Sequence, residues 1–150
     1  MENNSFRLGD NIKEISSFKK HKKLTRPLLG SNITAGFPSP AQDYIEKTID
    51  LNEQLISHPV ATFFVRVEGD SMIGAGIFPD DVLIVDRAMN AVSNNVIVAV
   101  LNSELTVKRL KITDEYWSLV PENPAYPEIV ITEDTDFTVW GVVTYCIHKL

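Results

Sequence analysis

The stretch Phe63-Phe64-Val65-Arg66-Val67-Glu68-Gly69-Asp70-Ser71-Met72 is the part of this sequence best suited to chemistry. Its bulky and β-branched residues predict a strand that stops at Gly69 and carries Ser71 on the turn beyond. A strand that delivers a hydroxyl to a tight turn is a common way to expose a nucleophile beside free backbone N–H groups. Gly-Asp-Ser also makes ordinary turns, so Ser71 alone does not decide between the two. A second polar group, Lys108, sits inside Leu105-Thr106-Val107-Lys108-Arg109-Leu110-Lys111. Strand alternation puts Thr106, Lys108 and Leu110 on one face and Leu105, Val107, Arg109 and Lys111 on the other. A lysine on a strand is usually exposed or snorkelling; buried, it sheds its proton more easily and can act as a base.

The elements that must hold these residues are mostly strands. From Pro59 onward strands are expected near 62–67, 82–86, 96–101, 104–111, 117–120, 129–131 and 137–148. Turn signals separate them at Gly74-Ala75-Gly76, Pro79-Asp80-Asp81, Ser93-Asn94-Asn95, Asn102-Ser103 and Pro121-Glu122-Asn123-Pro124. Short strands at this spacing imply a compact, barrel-like β domain. Before Pro59, an imperfect helical period predicts a helix from about Asp43 to Ile56, opened by Ser39 or Pro40. Ile33-Thr34-Ala35-Gly36-Phe37-Pro38-Ser39-Pro40 reads as extended chain. It is either a linker or a segment that a peptidase takes up as an added strand.

The chain has 150 residues, enough for one domain with its own core. Its net charge of −6 is unevenly spread. Residues 1–35 hold seven Lys or Arg against three acids, and residues 36–150 hold seven against seventeen. That contrast suggests a basic, flexible arm on an acidic body. Within the arm, Asp10 is expected to cap a short helix with Ile12, Ile15 and Phe18 on one face. Three apolar residues make no core, so order there requires docking on the body or on a partner. The arm is too short for a helix-turn-helix reader. Its lysine cluster from Lys19 to Lys23 suits phosphate contact, but no aromatic residues interleave it for base stacking. Direct DNA binding is left open. Cys146 is the single cysteine, and neither it nor His21, His58 and His148 has metal-ligand spacing, so no metal or cofactor is expected. The longest apolar run, Val96 to Leu101, is far short of a membrane helix, and the start lacks a signal peptide's features. A soluble, cytoplasmic protein is expected.

Taken together, Gly69-Asp70-Ser71-Met72, Thr106-Val107-Lys108-Arg109-Leu110 and Ala35-Gly36-Phe37-Pro38-Ser39-Pro40 give a family resemblance. From about Gly36 to the C-terminus the chain resembles the UmuD family of SOS mutagenesis proteins, whose peptidase domain is shared with LexA-type repressors. The resemblance also takes in Ile49-Asp50-Leu51-Asn52, Val82-Leu83-Ile84-Val85-Asp86 and Trp140-Gly141-Val142-Val143. It implies a mainly β, LexA and signal-peptidase-like fold of short strands, preceded by a flexible N-terminal arm and one short helix. It further implies that Ser71 is the nucleophile, Lys108 the general base and Ala35–Gly36 the bond that the protein cuts in itself. Residues 1–35 would then be the arm removed, and residues 36–150 the peptidase and dimerisation domain. The implied partners are a second copy of the chain, a RecA filament on single-stranded DNA and a UmuC-type error-prone polymerase. The arm is roughly ten residues longer than is usual in the family, and Asn94-Asn95 stands where a Gly-Asp pair is expected.

The implied chemistry has physical requirements. A serine hydroxyl needs a base within hydrogen-bond reach. A lysine must be desolvated before it can serve, with Met72, Val98 and Leu110 as candidate apolar neighbours. An oxyanion hole is expected from the backbone N–H groups of Asp70 and Ser71. Other readings are a LexA-like repressor inactivated by self-cleavage, a non-catalytic polymerase-assembly module, and a signal-peptidase-like enzyme, which would need a membrane anchor.

Overall fold

The computed structural model describes residues 6–19, 25–29 and 45–150. The chain divides into two compact units, one of residues up to Phe18 with His58–Leu150, the other Lys19–Ser57.

The larger unit is built on one curled sheet. Its strands are β1 (Arg7–Leu8), β2 (Ile12–Ser17), β5 (Thr62–Val67), β6 (Val82–Asp86), β7 (Val96–Leu101), β8 (Glu104–Ile112), β9 (Trp117–Val120), β10 (Ile129–Ile131) and β11 (Phe137–Ile147). The order across the sheet is β10-β9-β8-β7-β11-β6-β5-β2, all antiparallel, and β1 adds in parallel to β8. All seven expected strands after Pro59 are present, with ends within one residue of their predicted places. β7, Val-Ile-Val-Ala-Val-Leu, is apolar throughout because both its faces are covered. Its even neighbours Val98 and Val100 join Val65, Met72, Leu83, Val85 and Val107 in one core cluster. Ile97 and Ala99 join Leu110, Leu119 and Val142 in the other. β11 pairs with both β7 and β6, and register shifts near Gly141 and Tyr145 bend it from one to the other. That bend curls the sheet around the first cluster.

The turns follow their side-chain chemistry. Asn102 and Ser103 both take positive φ, 47° and 67°, in the two-residue connection of β7 to β8. Asn94 takes φ 74°, so an asparagine supplies the left-handed residue where a glycine was expected.

Two expectations are corrected. Residues 12–17 are a strand, not a helix capped by Asp10: β2 pairs along β5, Ile12 facing Val67 and Ile15 facing Val65. Order in this segment does come from docking on the body, but the partner is a sheet edge, which selects the extended form. In the smaller unit, β3 (Thr25–Leu29) pairs antiparallel with β4 (Ile45–Asp50). Within the helix predicted from Asp43 to Ile56, Ile45–Asp50 is therefore a strand. Only α1 (Leu51–Leu55) is helical, starting where the Asp50 carboxylate accepts the Asn52 N–H at 3.0 Å. Ile45, Thr48 and Ile49 are β-branched, so a pairing partner outweighs a weak helical period. Ala35, Gly36 and the opening Ser39 or Pro40 lie outside the described residues.

Candidate active site

Ser71 stands on the turn after β5, only 4% exposed. Gly69 turns the chain at φ 72°. A second loop, 121–127, holds the turn from outside. Glu122 N–H donates to Ser71 O at 2.9 Å, and Gly74 N–H donates to Glu122 O at 2.7 Å. Asn123 Nδ2 donates to Asp70 O at 3.0 Å, and the Tyr126 hydroxyl donates to Asp70 Oδ1 at 2.5 Å. Gly74 permits this close approach, because a Cβ there would lie 2.6 Å from Glu122 O. Arg109 pairs with the Glu122 carboxylate and ties the same loop to β8.

Lys108 reaches the serine from β8. Its residue is 7% exposed, and Nζ lies 3.5 Å from Ser71 Oγ. Nζ also donates to Thr106 Oγ1 and to Val107 O, both at 3.1 Å. Thr106 thus shares the face of Lys108, as alternation required. Burial holds the Lys108 amine below the ordinary lysine range, and the carboxylate of Asp10 opposes that shift. Of the three expected apolar neighbours, Leu110 lies on the Lys108 side of β8, whereas Met72 and Val98 belong to the core cluster of Val107. A cavity of about 370 Å³ opens beside Lys108, walled by Thr106, Leu101, Tyr126 and Ile129 with Gly9 and Asp10.

Asn11 completes the network and was not singled out by the sequence. Its Oδ1 accepts from Val107 N–H at 3.2 Å and from Thr106 Oγ1 at 3.1 Å. Its Nδ2 donates to Val107 O at 2.9 Å and to Ser71 Oγ at 3.1 Å. The Val107 N–H can only donate, so the amide orientation follows from the network itself. With Asn11 Nδ2 donating to Ser71 Oγ, the serine proton is free to point at Lys108 Nζ. A neutral amine uses its two protons on Thr106 and Val107 and offers its lone pair to that hydroxyl. Every buried side-chain polar atom of the described residues has a partner.

The structure therefore brings Ser71 and Lys108 together. The N–H groups of Asp70 and Ser71, expected to form an oxyanion hole, donate to no other group among the described residues. In this clamp Glu122 and Asn123 fall in the predicted Pro121-Glu122-Asn123-Pro124 turn, and Tyr126 lies beyond it. Nothing local in that stretch reports a contact more than fifty residues away. No helix among the described residues is long and apolar enough to cross a membrane.

The Peptidase S24-like family matches residues 27–144, a span that contains both Ser71 and Lys108. The chain is 44% identical over 125 residues to the protein SamA of Salmonella typhimurium, covering 83% of this chain and 86% of that protein. It is 41% identical over 122 residues to the protein MucA of Escherichia coli, covering 81% and 83% respectively. The LexA repressor of Caldicellulosiruptor saccharolyticus is 40% identical over 133 residues, or 89% of this chain and 64% of the repressor. The chain belongs to the Peptidase S24-like family, as a UmuD-type serine peptidase related to the self-cleaving proteins of the SOS response.

Proposed function

We propose that the protein cuts its own Ala35–Gly36 bond with a Ser71–Lys108 dyad. The observation that carries this reading is a buried lysine amine, lowered in basicity, 3.5 Å from the hydroxyl of a buried serine. In the reaction Ser71 Oγ attacks the Ala35 carbonyl carbon while its proton passes to Lys108 Nζ. The N–H groups of Asp70 and Ser71, which have no partner among the described residues, suit the negative charge that develops on the carbonyl oxygen. Lys108 then returns the proton to the departing Gly36 amine, and water hydrolyses the resulting ester. Thirty-five residues separate Gly36 from Ser71, so tethering supplies the substrate at high effective concentration.

Residues 1–35 are the part released and residues 36–150 the dimeric product, in the cytoplasm. By likeness to the UmuD family, a RecA filament on single-stranded DNA promotes docking of the cleavage segment. The product then serves a UmuC-type polymerase in translesion synthesis. The test is incubation of the full chain with RecA, single-stranded DNA and ATP, followed by mass spectrometry. A new N-terminus at Gly36 is expected, absent from Ser71→Ala and Lys108→Ala. Cutting by either variant at near wild-type rate overturns the dyad.

A further inference from the structure

Residues 7–17 lie outside the span matched by the family, yet they reach the Ser71–Lys108 pair. The reason is an open strand edge. On one side β8 pairs with β7 over Glu104–Arg109, and on the other it pairs with β9 only over Arg109–Ile112. Residues 103–107 therefore offer main-chain groups on that second side, next to the site, with no strand of the sheet's main path to take them. An edge of this kind accepts an extended peptide.

Here the occupant is the chain's own N-terminal segment. Arg7 N–H donates to Ser103 O at 3.1 Å and Gly9 N–H to Leu105 O at 2.9 Å. The next rung is made by a side chain. The Asn11 carboxamide takes both the N–H and the C=O of Val107, as a peptide group would, and spends its remaining N–H on Ser71 Oγ. On the far flank, Asn11 O accepts from Glu68 N–H at 3.0 Å, and β2 continues along β5. Arg7–Asn11 thus lies between the strand bearing Lys108 and the chain entering Ser71. It also walls the cavity beside Lys108. Its fit depends on Gly9, where a Cβ would stand 2.5 Å from Leu105 O.

We propose that Arg7–Asn11 is a resident strand that fills the peptide-binding edge of β8 and seals the Ser71 hydroxyl, so that cleavage requires its displacement. The inference rests on the Ser71–Lys108 reading given above. Two strands cannot pair with one edge, and the fraction of molecules with the edge free scales the observed rate.

The experiment follows self-cleavage of the full chain at pH 10 without activator in wild type, Asn11→Ala and Gly9→Val. Both variants are expected to cut faster, by about tenfold if the edge is mostly occupied in the wild type. Rates equal to or below wild type overturn the proposal, because Asn11 would then support the reaction rather than gate it. Asn11→Ala leaves the main chain intact and decides the matter if Gly9→Val does not fold. A readout independent of cleavage is alkylation by iodoacetamide in a Ser71→Cys background, with peptide mapping to separate position 71 from Cys146. Position 71 should react about tenfold faster once Gly9→Val or Asn11→Ala is added. Equal reaction overturns the resident strand even if all proteins cut themselves. A clear difference in alkylation with no Ser71-dependent cutting in any variant supports the strand and overturns only the peptidase reading.

Discussion

Replacing Lys108 by methionine should abolish the chemistry and leave the protein more stable. The two side chains are similar in volume, so the site stays filled. All three partners of Nζ retain a hydrogen bond through Asn11. Val107 O and Ser71 Oγ keep Asn11 Nδ2, and Thr106 Oγ1 keeps donating to Asn11 Oδ1. No buried polar group is orphaned, which is the usual reason such a change is costly. What disappears is the cost of holding an amine in a dry site. Exchanging a buried charge for apolar volume is often stabilising, and about 1–2 kcal/mol is expected at pH 7. For a chain of this size that raises Tm by about 2–8 °C. The sign of the pH dependence follows from the lowered pKa. Between the folded value and the ordinary 10.5, the unfolded chain binds the proton and the folded chain does not. Wild-type stability therefore rises with pH across that window, and the advantage of the variant shrinks as 10.5 is approached. Thermal melts at pH 7 and pH 10, beside a cleavage assay, measure both effects. A variant that melts below the wild type at pH 7, or that still cuts, refutes the account of Lys108 as a desolvated base.

Self-cleavage without activator should accelerate from pH 7 toward pH 10 as Lys108 loses its proton, levelling off below 10.5; a flat profile counts against an amine base. Gly74→Ala forces a Cβ toward Glu122 O, at 2.6 Å in the present geometry, and should push away the loop that holds Asp70 and Ser71. A stability loss of about 1–3 kcal/mol is expected in denaturant titration. Cleavage should fall with it, and unchanged values of both would show that the loop does not set the turn. Gly36→Glu should block cutting by filling the space beside the serine, read as persistence of the full-length band in a timed gel.

Much of this protein can be read from the sequence because its signals are local. Alternation and turn residues marked every strand from Thr62 to Ile147. They also put Thr106 and Lys108 on one face, where Thr106 Oγ1 and Lys108 Nζ are in fact 3.1 Å apart. Recognising Ser71 and Lys108 as a pair needed the separated motifs read together, since neither residue is distinctive alone. What tertiary structure decided is which segments find a sheet edge. Residues 12–17 and 45–50 each carried a helical period, and both are strands because β5 and β3 offer hydrogen bonds that a short, marginal helix does not match. The same long-range pairing brings Asn11 to Ser71 across 60 residues. No spacing rule marks an asparagine for that place; only the open edge of β8 does.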